Sequence, residues 1–324
     1  VLRIHTATGG HPLHAIEIGR LLAGGATLDE ALVHPSAYAV IMKRIEALPF
    51  DTRRVLLTAA LTTRPTLERI RSVFPGRDVE AELDAAVKQQ LADVRGGAVV
   101  FAHPLARAAV VAAAGAAGRR DMQLALAAST DDPDERVMLH VAAADGPDAA
   151  LAVDLDAASE RAAERGDLQV ALGLARRAVE LTPDRDVGDR VERLLTAAEL
   201  ASSGGDGFLP VELAEAAEAL SDDIDVRFRA GVTKFLTIGN RGDNDTAIAL
   251  ADALLPQLVD HPAKRARIND LRAQALLRND IPTALAAAAA AVEAAIEAGD
   301  DQMVLREQAL WTMICVLAGR PVDL

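Results

Sequence analysis

The stretch LDAASERAAERGDLQVALGLARRAVELTPD, residues 155–184, constrains the fold of this chain more than any other. Apolar residues recur at helical spacing on either side of Gly166-Asp167, a turn signal, and Pro183 ends the second run. Ala171 and Ala178 are small where paired helices must approach closely. The pattern matches the tetratricopeptide type of helix-turn-helix repeat, about 34 residues long. One such pair cannot bury its apolar face alone, so the pattern predicts stacked pairs that present a concave binding surface.

Looser echoes follow. GNRGDNDTAIALADALLP (239–256) repeats the Gly-Asp turn before an alanine-spaced helix, and RNDIPTALAAAAAAVEAAIEAGDD (278–301) carries Asn279 in place of the glycine. Ahead of both, residues 190–220 read as another helix pair with SSGGDG (202–207) as a long flexible loop. ALWTMICVLAG (309–319) gives the last repeat an apolar outer face, the mark of an array with missing neighbours. Hydrophobic residues make up 51% of the chain but aromatic residues only 2%, so the apolar content is Ala, Leu and Val, which favours an all-α protein.

The first third reads differently. PLHAIEIGRLLA (12–23) has helical spacing between Pro12 and Gly24-Gly25; Ser36 caps AYAVIMKRIEAL; Asp51 caps TRRVLLTAAL; Pro65 opens TLERIRSVF; and Asp78 precedes VEAELDAAVKQQL. LADVR, Gly96-Gly97 and AVVFA then form a hairpin signal. Helices followed by a small hairpin describe a winged helix, in which the β run is the wing and His103-Pro104 starts the helix beside it. The fold class expected is mainly all-α: a winged-helix module with a small β-hairpin, followed by tetratricopeptide-like repeats.

Charge narrows the partners. The formal net charge is −14, which opposes binding to phosphate backbones or anionic membranes. The third helix of the winged-helix reading sets Asp78, Glu80, Glu82 and Asp84 against Lys88, so it reads as a protein-packing element with no direct nucleic-acid role. Cys315 is the only cysteine, which excludes a disulfide or thiolate cluster within one chain and fits a cytoplasmic setting. No apolar run approaches the ~20 residues of a membrane span. With Val at its start and GRPVDL at its end, the sequence reads as an excised piece of something longer.

Few residues carry chemistry. His103 is a cap for the helix at Pro104 or, by its imidazole, a ligand to phosphate. His11 and His14 stand three apart, but no third ligand accompanies them, so no metal site is expected. Cys315 reads as packed core, and Asp131-Asp132-Pro133-Asp134-Glu135 as a solvated helix start. No nucleophile-base constellation and no GxxxxGK[ST] loop occurs, so the chain is not expected to be an enzyme.

Taken in order, TGGHPLHAIEIGRLL, RIEALPFDTRRVLLTAAL, VFAHPLARAAVV, VMLHVAAADGPD, AASERAAERGD and RAVELTPD resemble the middle of large LuxR-type transcriptional regulators with an AAA-like ATPase module. These belong to the signal-transduction ATPases with numerous domains, the class that includes the maltose regulator. The resemblance covers roughly residues 8–200. It implies an order of parts: residues 1–48 end a small helical domain of the ATPase module, 49–115 form the winged helix, 116–145 a helical connector, and 146–324 a repeat sensor arm, incomplete at its C-terminus.

The resemblance also implies roles. Pro12 would pack on adenine, Gly10 would let the backbone approach, and His103 would reach the β-phosphate of ADP, all in a longer parent. His11 stands where related chains often have Asn. The implied function is a regulatory fragment that relays a protein or small-molecule effector, bound on the repeats, to an ATP/ADP switch in a parent that oligomerises. The fragment itself would hold no cofactor. The alternative is a stand-alone helical scaffold that binds a partner protein.

Overall fold

The structure, a computed structural model, describes residues 37–320. It is all-α apart from one two-stranded hairpin, and it divides into two compact units, one ending at Asp145 and the other beginning at Gly146. The expected helix at 12–23, the Ser36 cap and the positions Gly10, His11, Pro12 and His14 lie outside the described residues.

In the first unit, α1 (Ala37–Glu46) and α2 (Phe50–Leu61) flank Pro49, which cannot continue a helix. Next come α3 (Leu67–Val73), α4 (Val79–Lys88), β1 (Ala92–Arg95), β2 (Ala98–Phe101) and α5 (Pro104–Ala113). The expected hairpin is present with Ala92 opposite Phe101 and Arg95 opposite Ala98. Gly96 and Gly97 turn it at φ of 58° and 74°, the pair of positive values that a two-residue turn of right-handed twist demands. The segment before α3 adds to its edge: the Leu67 N–H donates to the Gly97 carbonyl at 2.8 Å, and the Val99 N–H to that of Pro65 at 2.9 Å. Leu56, Ile70, Val79, Leu83, Leu91 and Ala109 form the core beneath.

Two local readings need correction. Asp51 does not cap α2, which starts one residue earlier behind Pro49; its carboxylate instead accepts from Arg77 at 2.7 Å, and that hydrogen bond holds the carboxyl below its usual range. Nor is the acidic run only a solvated helix start. Asp132 does cap α7 (Pro133–Ala143), accepting from Asp134 N–H at 2.9 Å, but Glu135 pairs with Arg69 of α3 at 3.0 Å. Arg69 also donates to the Ser129 carbonyl behind α6 (Gly115–Ala128), at 2.8 Å. Residues 116–145 thus pack on the same core, with Met122 buried in it.

The second unit is a tetratricopeptide-like run of helix pairs: α8 (Ala149–Glu164) with α9 (Leu168–Leu181), α10 (Val187–Gly204) with α11 (Leu209–Glu218), α12 (Ile224–Asn240) with α13 (Asn244–Leu254), α14 (Pro262–Leu276) with α15 (Ile281–Ala298), then α16 (Asp301–Leu317). Aspartates cap the starts of α8, α12, α13, α15 and α16, each accepting a backbone N–H two or three residues on. Small residues let the pairs close: Ala158, Ala162, Ala171 and Ala178 are buried in the first pair, and the Ser159 hydroxyl donates to the Ala171 carbonyl at 2.9 Å. In the third, a Cβ on Gly231 would lie 2.7 Å from Cδ2 of Leu254, so only glycine fits there without a shift.

Half of the expected SSGGDG loop is helix, and only Gly205, Asp206 and Gly207 remain outside it. Ser202, Ser203 and Gly204 extend α10, because Ala197 and Ala201 pack against Leu172 and Ala175 of α9 and hold the turn before them in place. The helix stops only at Gly205, in the left-handed region at φ 75°. Among the described residues, α15 alone is long and apolar enough to cross a membrane by length and composition. Its alanines at 284, 287, 288, 291, 294 and 295 are buried, as the faces of a helix packed between α14 and α16 are.

Candidate functional site

His103 sits at the junction of β2 and α5. Its ring Nδ1 accepts the Leu105 N–H at 3.0 Å and so caps α5. Accepting on Nδ1 leaves the proton of the neutral imidazole on Nε2, as a donor. The residue is exposed at a helix start, where partial positive charge favours an anion, although Pro104 has no N–H and the Leu105 and Ala106 N–H groups already donate to His103. Both readings of His103 from sequence are therefore compatible in one ring: one nitrogen caps and the other remains for a ligand. Gly10 and Pro12, its expected companions, lie outside the described residues.

A cavity of about 330 Å³ opens in the same unit. Ile45, Leu56, Val110 and Met122 line it, with Arg54 at its wall. The Arg54 guanidinium lies 5.8 Å from the Phe50 ring centre and 5.3 Å from that of Phe74, within cation–π range of both.

In the second unit the polar groups form an order that the sequence reading missed. The first helix of each pair is tied to the first helix of the next by an ion pair. Arg193 of α10 reaches Asp156 of α8 at 2.8 Å. Arg229 of α12 reaches Glu192 and Glu199 of α10 at 2.6 and 2.9 Å. Lys264 of α14 reaches Asp225 of α12. The signal was present: Arg193, Arg229 and Lys264 stand about one repeat apart.

At the last step the order breaks. Asp270 on α14 and Glu307 on α16 are buried carboxylates that act on each other, and their cations come from their own helices, Arg267 for Asp270 and Arg306 for Glu307. Alongside, a groove of about 550 Å³ runs between α15 and α16, lined by Leu285, Ala286, Ala289, Trp311 and Cys315. Cys315 is buried, as its apolar surroundings predict.

No family model matches the chain, and no curated protein matches it. Among solved structures, it is similar to a crystal structure of a signal transduction ATPase with numerous domains that carries a tetratricopeptide repeat sensor, from Pyrococcus horikoshii, at 12% identity and a TM-score of 0.44. The similarity covers 98% of this chain and 54% of that one, so the chain spans about half the length of its neighbour.

Proposed function

We propose that the chain is the regulatory part of a LuxR-type, ATP-dependent transcriptional regulator. In this reading α2–α5 and the hairpin are a winged helix, and α8–α16 are a sensor arm for a protein or small-molecule effector. The chain performs no reaction, contacts no nucleic acid directly and works in the cytoplasm. The observation that carries the reading is the His103 ring: its cap to Leu105 occupies Nδ1 and leaves Nε2 as the nitrogen able to donate, on an exposed residue at a helix start. This fits a phosphate group, and ADP or ATP would supply one. The chain has no GxxxxGK[ST] loop, so the rest of the phosphate cradle must come from a longer parent, with Gly10 and Pro12 beside the base.

Chemically, His103 would do one thing: donate Nε2–H to a nucleotide phosphate and so favour the conformation in which the winged helix is close to the nucleotide. An effector on the repeats can oppose that only by binding the two conformations unequally. The test is ADP affinity of the longer protein. His103→Asn keeps a side-chain acceptor for the Leu105 amide and replaces the Nε2–H by an amide N–H on a shorter side chain that reaches less far; about a tenfold weaker Kd, or ~1.4 kcal/mol, is expected. Pro12→Ala should weaken ADP as well. Unchanged ADP affinity and unchanged basal activity in both variants overturn the reading and leave the scaffold alternative.

A further inference from the structure

The break in the charge order at α14–α16 has a chemical meaning. Glu307 is 1% exposed. Its Oε1 accepts from Arg306 NH2 and Nε, at 2.7 and 3.0 Å, while its Oε2 is buried with no hydrogen-bond partner. Asp270 has no such vacancy: one oxygen accepts from Arg267 at 2.5 Å and the other from Gln274 at 2.7 Å. A lone buried carboxylate oxygen is costly when ionised and much less so when it carries a proton.

Every charged group around Glu307 can be named. From α14 come Asp270, which disfavours its ionisation, and Arg267, which favours it. Arg306 on its own helix also favours ionisation, and Asp300 at the helix start draws on Arg306. From α15 come buried alanines, while its Glu293 and Glu297 are exposed. Burial dominates, Asp270 adds to it, and together they push the Glu307 carboxyl above its ordinary range against both arginines.

We propose that Glu307 is a proton-operated latch for α16: with a proton on its carboxyl the helix stays seated on α14 and α15, and losing that proton to water sets two buried carboxylates against each other and releases it. The sign follows from linkage. A group that holds its proton more tightly in the seated helix than in the released one stabilises the seated state fully at pH below the ordinary Glu value. That contribution fades as pH rises through the seated-state value. The other steps of the array are joined by opposite charges: burial raises the Asp156 carboxyl too, but there an arginine from the neighbouring helix accompanies it, whereas among the described residues no cation of another helix pairs with Glu307. The released helix would uncover the alanine face of α15 and take away the α16 wall of the groove, Trp311 and Cys315.

Trp311 is the only tryptophan in the chain and lies one turn beyond Glu307 on α16, packed among the residues that α16 buries. The experiment follows its emission in the full chain from about pH 4 to pH 9, with helix content read by circular dichroism. Wild type should show one red-shifting step as pH rises, centred above the ordinary Glu value. Glu307→Gln, an isostere of the protonated form, should keep its blue-shifted emission throughout. Asp270→Asn should move the step toward acid. A flat wild-type profile, or a step that persists in Glu307→Gln, overturns the latch. So does loss of helix in Glu307→Gln, because a neutral amide should be tolerated there if a neutral acid is.

Discussion

The guanidinium of Arg193 lies 2.8 Å from the carboxylate of Asp156, thirty-seven residues earlier, and its other arm donates to the Thr182 hydroxyl at 3.0 Å. One buried side chain on α10 thereby fixes both members of the preceding helix pair. Arg193→Ala should lower unfolding stability by about 2 kcal/mol, because it leaves Asp156 without its charged donor. Arg193→Lys should recover only part of this, since one ammonium cannot span both partners. Chemical denaturation of the two variants checks the order.

The alanine faces of α15 set the distance to α14 and α16. Ala288 is fully buried, so Ala288→Leu has no space to occupy and should cost about 1–3 kcal/mol by overpacking. Ala286, at the open groove, is exposed, and Ala286→Leu should leave the melting temperature nearly unchanged. Thermal unfolding of both variants separates these outcomes.

Acid should weaken the array from a different side than alkali. Asp243 and Asp280 cap α13 and α15, and hydrogen bonds from the side chain and backbone of Thr246 and Thr283 hold both carboxyls below their ordinary value. A lowered value means a contribution present at neutral pH and lost as pH falls through the folded-state value. Melting temperature should therefore drop as pH descends below the ordinary Asp value, and Asp243→Asn with Asp280→Asn should flatten that acid limb. A limb of undiminished depth in the double variant counts against this assignment.

His103 offers a check on local structure alone. His103→Ala removes the acceptor for the Leu105 amide and should cost about 1 kcal/mol of stability in the first unit, whereas His103→Asn should cost much less. Equal losses in both would mean that the cap contributes nothing beyond the ring's packing.

The sequence made the local signals legible. Gly96-Gly97 announced the hairpin because few other pairs tolerate two positive φ values in succession, and Gly166-Asp167 announced a helix-to-helix turn for a similar reason. His103-Pro104 marked a helix start, since proline there gives up an amide the helix cannot use. Where tertiary packing overrides local preference, the reading failed. Ser202, Ser203 and Gly204 are poor helix formers, yet the buried alanines before them carry the helix through. Asp51 resembles a cap in every local respect and is claimed instead by Arg77.

The site was less legible than the fold. Arg229 pairs with carboxylates thirty and thirty-seven residues away, and such partners meet only once the stacking register of the helices is set. Repeat spacing of the cations was visible; which acid each would find was not. Glu307 illustrates the limit further, because in sequence it is one ordinary glutamate beside an arginine, and its missing partner is a property of depth.

The buried flank of α15 is made almost wholly of methyl groups, and this bears on how the end of the array resists motion. Interlocking large side chains act like gear teeth and fix one helix along the axis of another; a row of alanines is closer to a smooth rail. Along that rail the few large side chains, Leu276, Leu285 and Ile314, carry the interlocking, and Arg265 with Glu297 adds a charged tie between α14 and α15, so the register of these helices rests on a handful of positions.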